Sequence, residues 1–191
     1  MIARVYLAGP DVFYPDALER SRLKKEICAR YGLEGLSPLD NEAQVDPADP
    51  GRGASIIYSG NVRQMDAADA IIANLTPFRG VSADVGTAFE VGYCAARRLP
   101  VFGYSLADDS YVDRVRESAG LTADALRDGQ GMAIENVGHA DNLMLVEAIR
   151  SSGGRLVDRR SRPDVASELQ AFELCAEALA GHMRGRRQRS P

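Results

Sequence analysis

Residues 69–104, DAIIANLTPFRGVSADVGTAFEVGYCAARRLPVFGY, decide the fold of this chain. Ala70 to Leu75 is a short apolar run that stops at Thr76-Pro77, which predicts a buried parallel strand. Gly86 to Arg97 repeats its apolar side chains at helical spacing, and Leu99 to Tyr104 predicts the next strand. The stretch is therefore a β-α-β unit whose loop follows the carboxyl end of a strand, where open parallel sheets hold their ligands.

Two carboxylates stand out in this unit. Asp84 comes directly before the helix, and Glu90 lies inside it between two apolar residues. Asp84 alone is typical of an N-cap, and Glu90 alone is typical of a solvated helix residue. Because they are six residues apart, they converge only if Asp84 lies on the loop and Glu90 projects into the same cleft. The pair at a ligand-binding edge favours a catalytic interpretation.

The flanking segments alternate strands and helices in the same way. Further strands are predicted at Ala3–Ala8, Leu33–Leu39 and Gly154–Asp158, and helices at Asp16–Tyr31, Ser55–Ala68, within 139–154 and at Val165–Met183. We therefore predict a single doubly wound α/β domain of flavodoxin-like type over residues 1–183, with four or five mostly parallel strands. Residues 40–54 are predicted to be a long loop, either a surface connection or a lid over the cleft. Residues 184–191 are predicted to be a disordered basic tail.

Composition narrows the class of protein. An apolar fraction of 45% and a charged fraction of 26% are typical of a soluble globular chain. The net charge of −4 argues against a nucleic-acid polymer as partner, and no apolar run approaches the roughly 20 residues of a membrane span. The apolar run from Val5 stops at Gly9-Pro10, so no signal peptide is expected. Three cysteines without metal-like spacing predict reduced thiols in a cytoplasmic protein.

The first strand-to-helix turn, GPDVFYPD, lacks the features of two cofactor loops. It has neither the three glycines of a dinucleotide loop nor the lysine of a P-loop, so neither cofactor is predicted. It carries Asp11 and Asp16 and no basic side chain before Arg20. A phosphate at this turn would meet like charge, and a neutral sugar or base suits it better.

Three motifs resemble those of one known family. They are SADVGTAFEVGY at Ser82–Tyr93 with ADAIIANLTPFRG before it, VYLAGPDVF at Val5–Phe13, and SPLDNE at Ser37–Glu42. In this order they resemble the nucleoside 2-deoxyribosyltransferases, over roughly residues 3 to 150. The resemblance implies an enzyme that moves the 2-deoxyribosyl group of a deoxynucleoside to a free nucleobase, without metal or cofactor, on this same fold.

The resemblance also implies roles for three residues. Glu90 would be the nucleophile that forms a covalent glycosyl intermediate, and Asp84 the general acid and base. Two displacements would retain the configuration of the anomeric carbon. Tyr6 would orient the nucleophile, although a strand tyrosine packed in the core is the simpler interpretation of that residue. A position near the helix start would keep Glu90 ionised, and its negative charge would favour a proton on Asp84.

The resemblance further implies substrate-binding positions. They are Gly9, Asp11, Phe13, Glu42, Asn61, Gly86, Asn142 and Met144. Family members often carry Gln at the position of Glu42 and Asp at that of Asn61, and Asn can hydrogen-bond but cannot act as an acid or base. Asn142 and Met144 match a motif that reaches into a neighbouring subunit's site, which implies a homo-oligomer; core packing is the alternative for Met144. Asp66 is predicted to be a surface residue.

Two other functions remain open from the sequence. A hydrolase of deoxynucleoside 5′-monophosphates could use the same fold and a similar pair of carboxylates, although the acidic first loop argues against it. A non-catalytic nucleotide-sensing module would use Glu90 and Asp84 only as hydrogen-bonding groups. The chain has only two histidines, His139 and His182, which does not favour a histidine-rich metal site. Purine and pyrimidine bases are both compatible with the sequence.

Overall fold

Five parallel strands form one sheet in the computed structural model, which describes residues 2–44, 49–158 and 164–189. The strands are β1 (Ala3–Ala8), β2 (Leu33–Leu36), β3 (Ala70–Asn74), β4 (Val101–Ser105) and β5 (Leu156–Asp158). Their order is β2-β1-β3-β4-β5, and every neighbouring pair is parallel. The predicted single α/β domain of flavodoxin-like type is confirmed, with β1 and β3 at its centre.

Helices cover both faces of this sheet. They are α1 (Ala17–Arg30), α2 (Pro50–Ala67), α3 (Val85–Ala96), α4 (Tyr111–Ser118), α5 (Leu143–Ser151) and α6 (Val165–Arg189). Short 3-10 helices at Pro10–Phe13 and Pro38–Gln44 follow β1 and β2. Among the described residues, no helix is both long enough and apolar enough to cross a membrane.

Alternation along the strands divides the core between the two faces. Val5 and Leu7 pack with α1 and α6, whereas Tyr6 and Ala8 pack on the other face with α2, α3 and α5. All five residues of β3 are buried, because helices cover both faces of this central strand. Full burial of a large aliphatic side chain such as Ile71 contributes about 1.5–3 kcal/mol.

The predicted 40–54 loop is wrong at both of its ends. β2 stops at Leu36, and a 3-10 helix runs from Pro38 to Gln44 because proline cannot donate to a strand ladder. The next helix begins at Pro50, with Asp49 as its N-cap accepting a hydrogen bond from the Arg52 amide at 3.0 Å. Residues 45–48 lie outside the described residues, so the lid stays a prediction.

The final helix is longer than predicted. α6 continues to Arg189, so residues 184–189 are helical where a disordered tail was predicted. Residues 190 and 191 are outside the described part. The arginine-rich sequence explains the extension, because arginine has high helix propensity and cations are favoured near a helix C-terminus. A basic composition alone therefore did not indicate disorder.

Candidate active site

The centre of the candidate site is a hydrogen bond between β1 and α3. The Tyr6 side chain is fully buried, and its hydroxyl donates to Glu90 Oε1 at 2.5 Å. Burial and the neighbouring carboxylate both raise the pKa of Tyr6, so the phenol keeps its proton and remains a donor. The two residues are 84 positions apart, and the fold brings them together because β1 lies beside β3, which leads into α3. Tyr6 is packed in the core, as its alternative interpretation predicts, and its hydroxyl also orients Glu90.

The environment of Glu90 changes its acidity. Burial raises its pKa from 4.5 to about 7; the hydrogen bond from Tyr6 opposes this change, and the nearby charge of Asp84 adds to it. The expectation that the helix start keeps Glu90 ionised is wrong, because Glu90 lies in the second turn of α3, beyond the free amides of the first turn. In the free protein, Glu90 therefore exchanges its proton near neutral pH.

Asp84 occupies the N-cap of α3. Its Oδ2 accepts a hydrogen bond from the Thr87 amide at 3.1 Å, which confirms the capping interpretation. Among the described residues, none donates a hydrogen bond to the other oxygen, Oδ1. A Cβ at Gly86 would lie 2.9 Å from Asp84 Oδ2, so glycine leaves room for the carboxylate over the helix start. Capping and acid–base chemistry are thus compatible, since they use different oxygens.

Asp141 is a residue that the sequence reasoning missed. It is fully buried and accepts hydrogen bonds from the Ala83 amide at 2.9 Å, the Asn142 amide at 2.7 Å and the Ser82 hydroxyl. It therefore holds the loop just before Asp84 against the segment that leads into α5. Its partners lie up to 59 residues away in sequence, so no local pattern reveals them. The one available signal was an acid directly before the Asn-x-Met motif.

Asn142 and Met144 begin α5. The Asn142 side chain caps this helix by accepting from the Met144 amide at 3.0 Å, and its Nδ2 donates to Glu135 at 2.9 Å. Met144 is 71% exposed, so the core-packing alternative for it is wrong. Among the described contacts, neither side chain hydrogen-bonds to Glu90 or Asp84.

The charges of the first loop are already paired. Lys24 forms a salt bridge with Asp11, and Arg20 pairs with Asp16 at 2.8 Å. Burial would raise the pKa of Asp11, but Lys24, Glu168 and Arg20 together outweigh it and hold the pKa below its usual value. Glu168 shares both cations, so the pairing reduces the negative charge that a phosphate would meet at the loop but does not cancel it.

Gly9 opens the first loop next to β3. A Cβ at this position would lie 2.8 Å from the Asn74 Cβ and 2.5 Å from Asp11 Oδ2. Any larger residue would push the loop off the edge of the sheet. Glycine here permits close approach of the backbone to its neighbour strand.

Aromatic side chains from two loops meet at the same edge of the sheet. Phe13 is 53% exposed and stacks on Phe78, with ring centroids 5.3 Å apart and planes 14° apart. The Arg79 guanidinium lies over both rings, at 4.9 and 4.7 Å from their centroids. Arg79 has a φ of 54°, a left-handed conformation that is uncommon outside glycine and concentrates at functional sites. Sequence reasoning had singled out Phe13 but neither Phe78 nor Arg79.

The remaining site predictions fall on α2 and its approach. Asn61 accepts a hydrogen bond from the Asn41 side chain at 3.1 Å, so it ties α2 to the 3-10 helix before it. The side chain of Glu42 lies outside the described part of the structure. Asp66 is exposed and accepts from the Tyr93 hydroxyl at 2.8 Å, which confirms its surface position.

Cysteines and metal-ligating groups complete the description. Cys28, Cys94 and Cys175 are free and buried. In the described ranges, no three His, Cys, Asp or Glu side chains group closely enough to hold a metal ion.

The sequence model of the nucleoside 2-deoxyribosyltransferases matches residues 5–144. The chain belongs to this family. A 2-desoxiribosyltransferase from Leishmania mexicana is 33% identical, with a TM-score of 0.58, over 75% of this chain and 85% of the other. An uncharacterized protein of Schizosaccharomyces pombe is 35% identical over 165 residues, 78% of each chain. A conserved protein from Enterococcus faecalis V583, at 23% identity, shares the fold with a TM-score of 0.58 over 91% of this chain and 99% of its own.

Proposed function

We propose that this protein transfers a 2-deoxyribosyl group between nucleobases through a covalent intermediate on Glu90. The observation that carries the proposal is the partly buried Tyr6–Glu90 hydrogen bond beside Asp84, in a chain of this family. A carboxylate held in this way can attack an anomeric carbon, and a second carboxyl close by can serve the leaving base.

Two displacements account for the reaction. In the first, a Glu90 oxygen bonds to the anomeric carbon while the C–N bond breaks; its electron pair stays on the base, which receives a proton from Asp84. In the second, a nitrogen of another base attacks the same carbon, Asp84 accepts its proton, and Glu90 leaves as the carboxylate. Each step inverts the carbon, so the overall configuration is retained.

The acidity of Glu90 fits the first displacement at neutral pH. With its pKa at about 7, a large fraction of the protein carries an ionised Glu90. The Tyr6 hydroxyl stabilises this form by donating to it. Positive charge develops on the sugar in the transition state and stabilises the ionised form of Glu90 further. The carboxylate is therefore stabilised more strongly in the transition state than in the free protein.

We extend the proposal to a homo-oligomer with shared sites. Tyr58, Val85, Phe89 and Met144 are large apolar side chains with 59%, 84%, 48% and 71% exposure, on the neighbouring helices α2, α3 and α5. Exposed apolar side chains beside a site are typical of an interface. A second copy would cover them, and its Asn142 and Met144 would complete the site. Buried free thiols favour the cytoplasm as its location.

The decisive experiment combines base exchange with trapping. A deoxynucleoside is incubated with a different free base, and chromatography should show the exchanged deoxynucleoside forming faster than free deoxyribose. Mass spectrometry of the quenched protein should place the sugar on Glu90. Free sugar as the main product would favour a hydrolase, and no covalent sugar together with no turnover would favour a nucleotide-sensing module.

A second candidate function takes deoxynucleoside 5′-monophosphates as substrates for hydrolysis. Two observations favour it. Ion pairs with Lys24 and Arg20 reduce the negative charge of the first loop. Arg79 lies over Phe13, with no hydrogen bond from its guanidinium to any described residue. Arginine is well suited to bind phosphate. If this function is correct, the monophosphate is hydrolysed faster than the nucleoside, and Arg79→Ala raises KM at least tenfold for the monophosphate alone.

A further inference from the structure

Asp141 joins two segments that carry proposed site residues. One segment is the loop between β3 and α3, which ends at Asp84; the other leads into α5 and carries Asn142. The Asp141 side chain is 0% exposed, so its carboxylate interacts with protein groups from these two segments and with Arg114.

The two carboxylate oxygens together bind both segments. Oδ2 accepts from the Ala83 amide at 2.9 Å, one residue before Asp84. Oδ1 accepts from the Asn142 amide at 2.7 Å and from the Ser82 hydroxyl. A shift of Asp141 would therefore move the backbone of both Asp84 and Asn142.

Arg114 reinforces the same junction. Its guanidinium donates to the Val81 carbonyl at 2.8 Å on one segment and to the Ala140 carbonyl at 2.7 Å on the other. It also lies 3.8 Å from Asp141 Oδ2, so the buried carboxylate has a partly buried cation beside it. Arg114 and Asp141 therefore bind the same two segments from neighbouring positions.

We infer that Asp141 is a positioning residue for two active sites at once. By accepting from the Ala83 amide it positions Asp84 in its own subunit's site. By accepting from the Asn142 amide it positions the residue that is offered to the neighbouring subunit. The inference rests on the proposed function and its shared site. A single buried carboxylate then fixes the positions of Asp84 and Asn142 relative to each other.

Two neighbours provide controls, because each belongs to or binds one segment only. Ser82 bonds to Asp141 from the Asp84 loop, so Ser82→Ala loosens the subunit's own site. Glu135 accepts from the Asn142 side chain at 2.9 Å and from the Leu143 amide at 2.7 Å, so Glu135→Ala loosens the contribution to the neighbour. Neither change removes Asp141.

The test is complementation in mixed oligomers. Each variant is co-expressed with one of two testers, Glu90→Ala or Asn142→Ala, and hetero-oligomers are isolated by two affinity tags. The two testers mixed together form the positive control, because some sites then combine an intact Glu90 with an intact Asn142. If this control gains no activity, the proposal of a shared site is wrong, and so is the inference that Asp141 acts on the neighbouring subunit's site.

Asp141→Ala should lower kcat about 100-fold and recover with neither tester, because it damages both halves. Ser82→Ala should recover with Asn142→Ala only, and Glu135→Ala with Glu90→Ala only. These patterns separate positioning from a loss of folded protein, which is followed by oligomer mass and melting temperature. Recovery of Asp141→Ala with either tester, while the positive control works, would overturn the two-sided role.

Asp141→Asn keeps the test decisive if the alanine variant does not fold. The amide has nearly the same volume, but one of its two polar atoms is a donor and can no longer accept from a backbone amide. It should therefore recover with at most one tester. Recovery with both testers would show that Asp141 positions neither site.

Discussion

At the scale of single residues, the site depends on a carboxylate that burial has made a weaker acid. Glu90 is desolvated on α3 and held by the Tyr6 hydroxyl, so its proton leaves near pH 7 rather than near 4.5. This environment costs stability when the group is ionised, and it also makes the carboxylate more nucleophilic than one in water. As pH rises towards 7, the ionisation of Glu90 should therefore increase the activity and decrease the stability of the fold.

Replacing Glu90 by alanine tests its role as nucleophile. Glu90→Ala should lower turnover by several orders of magnitude, because no carboxylate remains to form the covalent intermediate. The fold should survive, since a partly buried carboxylate contributes little to packing. Steady-state base exchange measures the loss, and circular dichroism checks the fold. Near-normal exchange by this variant would refute the mechanism.

The pH dependence of kcat/KM should follow the ionisation of Glu90. Only the ionised form of Glu90 attacks the sugar, so kcat/KM should rise through about pH 7 on the acid side of its profile. The profile should be bell-shaped rather than level at high pH, because Asp84 must carry the proton that it gives to the leaving base. Tyr6→Phe removes the hydrogen bond that lowers this pKa, so its profile should shift to higher pH. The measurement is a series of initial rates between pH 5 and 9, run in buffers of constant ionic strength. A shift to lower pH would contradict this assignment.

Stability should show the opposite trend. The pKa of Glu90 is raised on folding, so between about 4.5 and 7 the folded chain binds more protons than the unfolded chain and loses stability as pH rises. Glu90→Gln cannot ionise, so its free energy of unfolding at pH 8 should exceed that of the unaltered chain by about 3 kcal/mol. Below pH 4 the difference should vanish. Urea denaturation at both pH values measures it; an equal stability at pH 8 would mean that ionised Glu90 is well solvated.

At the scale of secondary-structure elements, buried charges fasten the first loop to two helices and a strand. Lys24 on α1 pairs with Asp11 after β1 and with Glu168 on α6 at 2.6 Å, and it donates to the Tyr104 hydroxyl on β4 at 2.8 Å. Burial alone would lower the pKa of Lys24, but the two carboxylates outweigh it and raise the pKa. The loop that carries Phe13 is therefore held from the side of the sheet opposite Glu90.

Lys24→Met should destabilise the protein by about 3–5 kcal/mol, because it removes the buried cation that pairs with both Asp11 and Glu168 and leaves only Arg20 beside Glu168. The penalty should shrink at pH 5, where a shared proton can replace the lost charge, since Glu168 already has a raised pKa from burial and from Asp11. Lys25→Met is the matched control: its partner Asp40 is exposed, so the expected loss is below about 1 kcal/mol. Denaturant unfolding measures both, and equal losses would contradict the buried-cluster argument.

Local patterns predicted the elements well but not the contacts between them. The short apolar run before Thr76-Pro77 and the helical periodicity after Asp84 placed β3 and α3 to within a residue or two. Asp141 bonds across 58 residues to Ala83, and such pairings depend on the folded arrangement alone. The roles of Glu90 and Tyr6 came from the family motifs, whereas the raised pKa of Glu90 required knowledge of its burial.

At the scale of the whole molecule, large apolar side chains are exposed on the face of the sheet that carries the candidate site. Tyr58 on α2 and Phe89 on α3 have ring centroids 6.2 Å apart and remain largely exposed beside the candidate site. On the opposite face, Leu18 on α1 is also exposed, at 77%. The shared-site proposal predicts that only the first face is covered by a second subunit.

Tyr58→Lys should therefore lower the oligomer mass and the activity together. The change places a charge in the proposed interface and leaves one subunit's fold intact, because the side chain is 59% exposed and lysine favours helices. Leu18→Lys makes the same chemical change on the α1 face and should alter neither property. Light scattering after size exclusion gives the oligomer mass. Base exchange over a dilution series gives the activity per subunit. As the protein is diluted, Tyr58→Lys should lose this activity at a higher protein concentration than the unaltered chain does. A fully active monomer of Tyr58→Lys would show that each site is complete within one chain.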